Sequence, residues 1–416
     1  MKKYNYLLSI LLLICIIAAG GCSSKSDSSD TTVAEKEEKE AKKEKKKDKK
    51  EKKEKESETE TETEKESLDY ANLTPEDLIK DFEGKTELNK EEFMDLLSTF
   101  EYVEFYDDYS LASNITSKAI YMLNDNDVDL PYDEVIPMAI KSDIPQLRAW
   151  GYSQMSSIFG ISDENIESSV KMLSSEKDPH VIAAAVRYLG SEGGANPDIA
   201  AFLLESAKHE DPVVRMWAAS SIGSSWNENM EGALEAMLEL MKDSDPKVRE
   251  WACTYIGNLG KEEAVAPLAE ILNTDEEYEL HGACMDSLST LWLDYPFHEK
   301  HFESAYLASM EYFKKTPRSE NTPFWLAVNN ISNIDEDSIE AWKANAPFYN
   351  PDEIVSLMTD IVADPNADFL ARTSAIDVIK AHGTREQLEA LAPTIEGLSD
   401  SLAEQIQGSY QDALNN

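Results

Sequence analysis

Four groups of residues have types and spacings that could carry chemistry. Asp125, Asp127 and Asp129 alternate in NDNDVDLPYDE, as ligands do at the start of a calcium loop. Such a loop also needs Gly at its sixth position and Glu at its twelfth. Leu130 and Ile136 stand there, so a capped connection between helices is the expectation. His298 and His301 flank Glu299 in PFHEKHF. A zinc-protease helix needs its two His four apart, with Glu directly after the first. This closer spacing predicts solvent-facing histidines and no metal. Cys253 and Cys284 lie in apolar helical stretches, where Cys behaves as a small buried hydrophobe. A disulfide between them stays open, since helix axes 8–10 Å apart make its geometry demanding. Glu231, Glu235 and Glu239 repeat at helical spacing. Like charges four apart destabilise a helix by a few tenths of a kcal/mol each. A sequence that keeps such a stripe either solvates it or uses it. With Glu263 and Glu270 it is a candidate surface for a basic protein partner. No phosphate loop, nucleophile elbow or Cys–His pairing occurs, so no catalytic residue, metal or cofactor is expected.

The amino end bears on where such a surface would act. Lys2 and Lys3 precede an apolar run from Leu7 to Ala19, followed by Gly20, Gly21 and Cys22. A positive start, an apolar core and a small-residue cleavage site make a secretory signal. The apolar run is short for a membrane about 30 Å thick. Cys directly after two small residues resembles a bacterial lipoprotein signal. That resemblance implies cleavage after residue 21, lipidation of Cys22, and a place on the extracytoplasmic face of the membrane. Residues 22–67 are then a low-complexity tether. From 35 to 66 Lys and Glu dominate and Ala41 is the only apolar residue, so no core can form there.

The charge is unevenly spread. Residues 1–30 contribute +1 and 31–66 contribute −1, which leaves the whole formal −42 on 67–416. Nucleic-acid binders need clustered Lys and Arg, so that class is excluded. Basic partners or cations suit such a body.

The elements that position these residues repeat. Asp211-Pro212-Val213-Val214-Arg215-Met216-Trp217-Ala218-Ala219 is matched 34 residues later by Asp245-Pro246-Lys247-Val248-Arg249-Glu250-Trp251-Ala252-Cys253. Arg148-Ala149-Trp150-Gly151 lies about two periods earlier, and Asp178-Pro179-His180-Val181-Ile182 fills the gap. A weaker copy runs from Asp275 to Leu288. Asp caps a helix start and Pro suits its first position. Val248, Ala252, Ile256 and Leu259 then share one face. A second helix follows, striped by Met230, Ala233, Leu234, Met237, Leu238 and Met241 in one copy. Neither helix can bury its stripe alone, so copies must stack.

The D-P-x-V-R-x-x-A-A pattern with a helix pair per copy resembles the HEAT-repeat family, most of all its short bacterial form related to phycobilisome lyase repeats. The resemblance covers about 142–292 and returns near 366–392, where Ala371, Arg372, Ser374, Ala375 and Ile379 carry it. It implies an all-α solenoid that binds partners along its surface, with second helices lining that surface. It also implies that Asp178, Asp211 and Asp245 cap and that Arg215 and Arg249 brace adjacent copies. Trp150, Trp217 and Trp251 recur at one repeat position, which favours packing between copies over ligand contact. Ile182 replaces the Arg in one copy, so the ladder should be interrupted there. The flanks, 68–141 and 293–416, read as less regular helices: Leu88–Phe100, Leu111–Leu123, Pro131–Ile140, Ser338–Ala344, Asp352–Val362 and Leu398–Ile406. Tyr102–Tyr106 is the one short strand candidate. The resulting expectation is a membrane-tethered, non-enzymatic scaffold for an extracytoplasmic protein. A cation- or solute-binding lipoprotein is the alternative, and a lyase or other enzyme is the weakest.

Overall fold

The computed structural model describes residues 73–105, 109–111, 114–155, 168, 170–293, 300–316, 318, 322–332 and 346–415. They fall within one compact unit, Asp69–Asn416. The signal segment, Cys22, the Lys/Glu tether, His298, Glu299 and the helix expected over 338–344 lie outside the described residues. No described helix is long and apolar enough to cross a membrane.

The unit is an α-solenoid. It opens with α1 (Pro75–Ile79), α2 (Lys90–Ser98), α3 (Ile115–Asp125) and α4 (Tyr132–Ala139). Thr74 with Asp77, and Asn89 with Glu92, close reciprocal capping boxes on α1 and α2. Each satisfies backbone N–H groups that a helix start leaves free. Helix α3 begins at Ile115 rather than at Leu111, because Asn114 caps it through the Ser117 amide. Tyr102 closes a 3₁₀ turn over Thr99–Tyr102. The strand candidate there is not one, and among the described residues only an isolated bridge, Glu87 with Asp129, has strand-like pairing.

The repeats follow as α5 (Pro145–Met155), α6 (Pro179–Leu189), α7 (Pro197–Ser206), α8 (Pro212–Ile222), α9 (Ala233–Leu240), α10 (Pro246–Tyr255), α11 (Val265–Leu272) and α12 (His281–Leu293). Then come α13 (Glu303–Lys315), α14 (Thr322–Asn330), α15 (Pro351–Ala363), α16 (Phe369–His382), α17 (Arg385–Glu389), α18 (Ala392–Glu396) and α19 (Ala403–Asn415). One row runs α5, α6, α8, α10, α12, α14, α16, α19, each packed on the next. Second helices, among them α11, α13, α15 and α18, form the other row. The core lies between the rows. Val214, Ala218, Ala219, Val248, Ala252 and Cys253 of the first row are fully buried, as are Leu203, Met237 and Leu268 of the second. Cys284 is also buried, and both body cysteines are free thiols.

Small residues set the spacing of the first row. A Cβ built on Gly257 would meet the Ser287 backbone at 2.5 Å from its oxygen and 2.7 Å from its Cα. Only hydrogen fits at such an approach. At the far end, the helix expected to start near Leu398 starts at Ala403 instead. Asp400 is the reason. Its carboxylate accepts the Leu402 amide at 2.9 Å and the Arg372 guanidinium at 3.0 and 3.1 Å, which holds 398–402 as a loop.

Candidate functional site: an acidic second-helix face and an interrupted ladder

Asp178, Asp211 and Asp245 each cap a first-row helix through its early amides, at 2.9–3.0 Å to the second residue on. Four residues past the cap stands the ladder position. Arg215 forks its Nε and Nη2 onto Asp243 at 2.7 and 2.8 Å and donates from Nη1 to the His209 carbonyl at 2.8 Å. Arg148 does the same to Glu176, at 2.9 and 3.3 Å, and to the Ser142 carbonyl at 2.9 Å. Arg372 reaches Asp400 and donates from Nε to Val362 O at 2.9 Å. The acid stands 28 residues after the Arg in all three. It also accepts an amide two residues on: Asp178 for Glu176, Asp245 for Asp243, Leu402 for Asp400. Arg249 Nη1 meets Asp243 O at 2.8 Å in the same way as the others meet a preceding carbonyl.

These acids are tuned by the ladder. Burial acts to raise the Glu176 and Asp243 carboxyls, but their guanidinium partners and the capped amides outweigh it and hold both below the usual value. Asp400 is lowered mainly by its bonds to Arg372. The acid partners are the functional residues that sequence reasoning missed. The one local signal was an acid two residues before a capping Asp, and it marks Glu176 and Asp243 but not Asp400.

The copy headed by Asp178 breaks the pattern twice. Ile182 stands at the Arg position, and two residues before the next cap His209 replaces the acid, its Nδ1 accepting the Asp211 amide at 3.0 Å. The residue 28 after Ile182 is the exposed Glu210. A cleft of about 780 Å³ opens at this place. Residues 170–177 form one wall, α7 with His209 and Glu210 forms the other, and Ile182 contributes to its lining.

The candidate partner-binding acids lie on the second-helix row. Glu231, Glu235, Glu239, Glu263 and Glu270 are all exposed. Glu231 is not on the helix: it precedes Gly232, whose φ of +83° makes the turn into α9. Glu235 and Glu239 stand on α9, and Glu239 pairs with Lys242 at 3.2 Å. Glu205, Glu239 and Glu270 each fall in the last turn of α7, α9 or α11, and none of those turns holds a basic residue. The negative end of a helix disfavours an acid by about 0.3–1 kcal/mol. Trp217 and Trp251 are packing residues. Their rings meet edge to face at 4.9 Å, and the Arg187 guanidinium lies over Trp217 at 4.4 Å. Trp150 is buried against Phe93 and Phe100.

The other sequence candidates are placed differently. Asp125, Asp127 and Asp129 are exposed around the turn that ends α3. The Asp129 backbone is tied to Thr86 and Leu88. No group of three or more His, Cys, Asp or Glu among the described residues is placed to hold a metal. His301, in the lead into α13, is half-buried with its Nδ1 turned inward, not solvent-facing as expected.

Residues 166–229 and 203–289 match a family model described as HEAT repeats. The stretch from 166 to 289 consists of HEAT-like repeats. The matched residues hold the Arg215–Asp243 rung and the gap at Ile182 and His209. An engineered protein known from its crystal structure is similar at 15% identity, over 82% of this chain and 99% of that one, with a TM-score of 0.32. A comparison with curated proteins returns no match.

Proposed function

We propose that this protein is a non-catalytic interaction scaffold, lipid-anchored through Cys22 on the extracytoplasmic face of a membrane, which binds a basic protein through its acidic second-helix face. HEAT-like repeats are an interaction architecture, in which stacked pairs present one long surface. The observation that carries the reading is the line of exposed acids at Glu205, Glu235, Glu239 and Glu270, three of them where the helix dipole opposes them. A fold under selection for stability alone gains by placing Lys or Arg there. The charge of −42 would also speed capture of a cationic partner.

Crosslinking of the full chain on intact cells of its source tests this. Wild type should capture a discrete basic protein. The chain with Glu231, Glu235 and Glu239 changed to Gln should lose at least five-sixths of it at unchanged surface level. Equal capture by both forms would remove this face from the interaction. Labelling with a palmitate analogue, lost in Cys22→Ser, checks the anchor separately.

A further inference from the structure

We infer that the cleft at the missing rung is a socket for an arginine side chain supplied by the partner. The inference rests on the interaction reading above and names what the surface recognises. In three rungs of this chain a guanidinium bridges two successive copies, forked onto a carboxylate and donating to a carbonyl. In the Asp178 copy Ile182 replaces the Arg and His209 takes over the acid's amide-accepting place, while Glu210, 28 residues after Ile182, stays exposed. Losing the Arg alone would leave a half-buried acid without its cation, which is costly. With His209 taking over the Asp211 amide, no such acid remains, and the cleft can stand open without a penalty to the fold.

Its lining suits an arginine from outside. Val170, Leu173, Ile182 and Phe202 give apolar walls for a side-chain stem, one of them aromatic. Asp198, Glu205 and Glu210 line the α7 side. All three are exposed, and among the described residues their carboxylates form no ion pair. Glu205 adds its charge to the negative end of α7. Lys171 and Lys177 stand on the opposite wall, so a cation entering the cleft is driven toward the acids. The planar fork of Arg matches two carboxylates and stacks on a ring, whereas the Lys ammonium is compact and strongly hydrated. The partner segment is therefore one that presents an arginine side chain.

Fluorescence anisotropy of the full chain with three capped peptides tests the socket. They are identical (Ser-Leu-X-Leu-Ser) except that X is arginine, lysine or citrulline, the last having the shape of arginine without its charge. The arginine peptide should bind at least tenfold more tightly than either other. Glu205→Gln with Glu210→Gln, both exposed and unpaired, should weaken it at least fivefold with an unchanged melting curve. Ile182→Arg with His209→Asp, which rebuilds the Arg215–Asp243 arrangement inside the chain, should abolish binding. Equal binding of the arginine and citrulline peptides, unchanged binding in either variant, or no binding of any peptide would each overturn the socket. The interaction reading fails separately, through cellular capture indifferent to the Glu231, Glu235 and Glu239 changes.

Discussion

Arg372 has no exposed surface, yet its guanidinium meets Val362 O and both oxygens of Asp400. Arg215 forks onto Asp243 through Nε and Nη2 instead, with its side chain 13% exposed. The two therefore differ in how much water can replace the lost partner. Removing one member of a buried pair strands the other and typically costs about 3–5 kcal/mol, while a pair with water access costs less. Arg372→Met should lower the urea-derived unfolding free energy by about 3 kcal/mol or more, and Arg215→Met by about 1–2. Equal losses would show that burial does not set a rung's strength, and a loss under about 0.5 kcal/mol for Arg372 would show that the ladder is decoration. The Arg positions were legible in the sequence because they stand at a fixed distance from a capping Asp. Their acids were not, because a pairing across 28 residues has no local period, and Glu176, Asp243 and Asp400 are three among many carboxylates. The cleft was half legible: Ile182 announced a gap in the ladder, but only the packing of α7 shows that the gap is open.

At the scale of the element, the solenoid depends on how closely first-row helices approach. Gly257 and Gly408 make the contrast. The first lies at the end of the first helix of its copy, where a Cβ would fall 2.7 Å from Ser287 Cα. The backbone of a packed neighbour cannot yield as a side-chain tip can. Gly408 lies within α19, exposed, with nothing within 4 Å of a built Cβ. Gly257→Ala should destabilise by about 1–3 kcal/mol through overpacking. Gly408→Ala should stabilise by about 0.5–1 kcal/mol by lowering the entropy of the unfolded chain. Opposite signs in thermal melts of the two variants are the expected result, and equal signs would refute the packing argument. Helix existence was readable from the caps and stripes of α6, α8 and α10. The boundaries were less so where a side chain outcompeted the pattern, as Asn114 does for α3 and Asp400 for α19.

For the whole molecule, charge and ladder pull against each other with pH. The body carries the full −42, so at pH 7 it repels itself. The first protons taken up below pH 7 relieve that repulsion in the folded state more than in the expanded one. The ladder acts oppositely. Glu176, Asp243 and Asp400 are held below their usual values by their guanidinium partners and amides. A depressed acid binds its proton less readily folded than unfolded, so its contribution is complete above the unfolded-chain value of about 4. It is lost as pH falls through the folded value. The melting temperature should therefore hold or rise from pH 7 to about 5, then fall steeply below about 4. Salt separates the two causes, because exposed charges are screened within about 10 Å at 0.1 M while half-buried pairs are screened less. Raising sodium chloride from about 20 to 200 mM should raise the melting temperature at pH 7 and change it little at pH 4.5. A melting temperature that falls steadily from pH 7, or that drops with salt at pH 7, would mean that ion pairs rather than repulsion dominate the surface. The acidic face would then be a set of internal partners and not a surface held free for a basic protein.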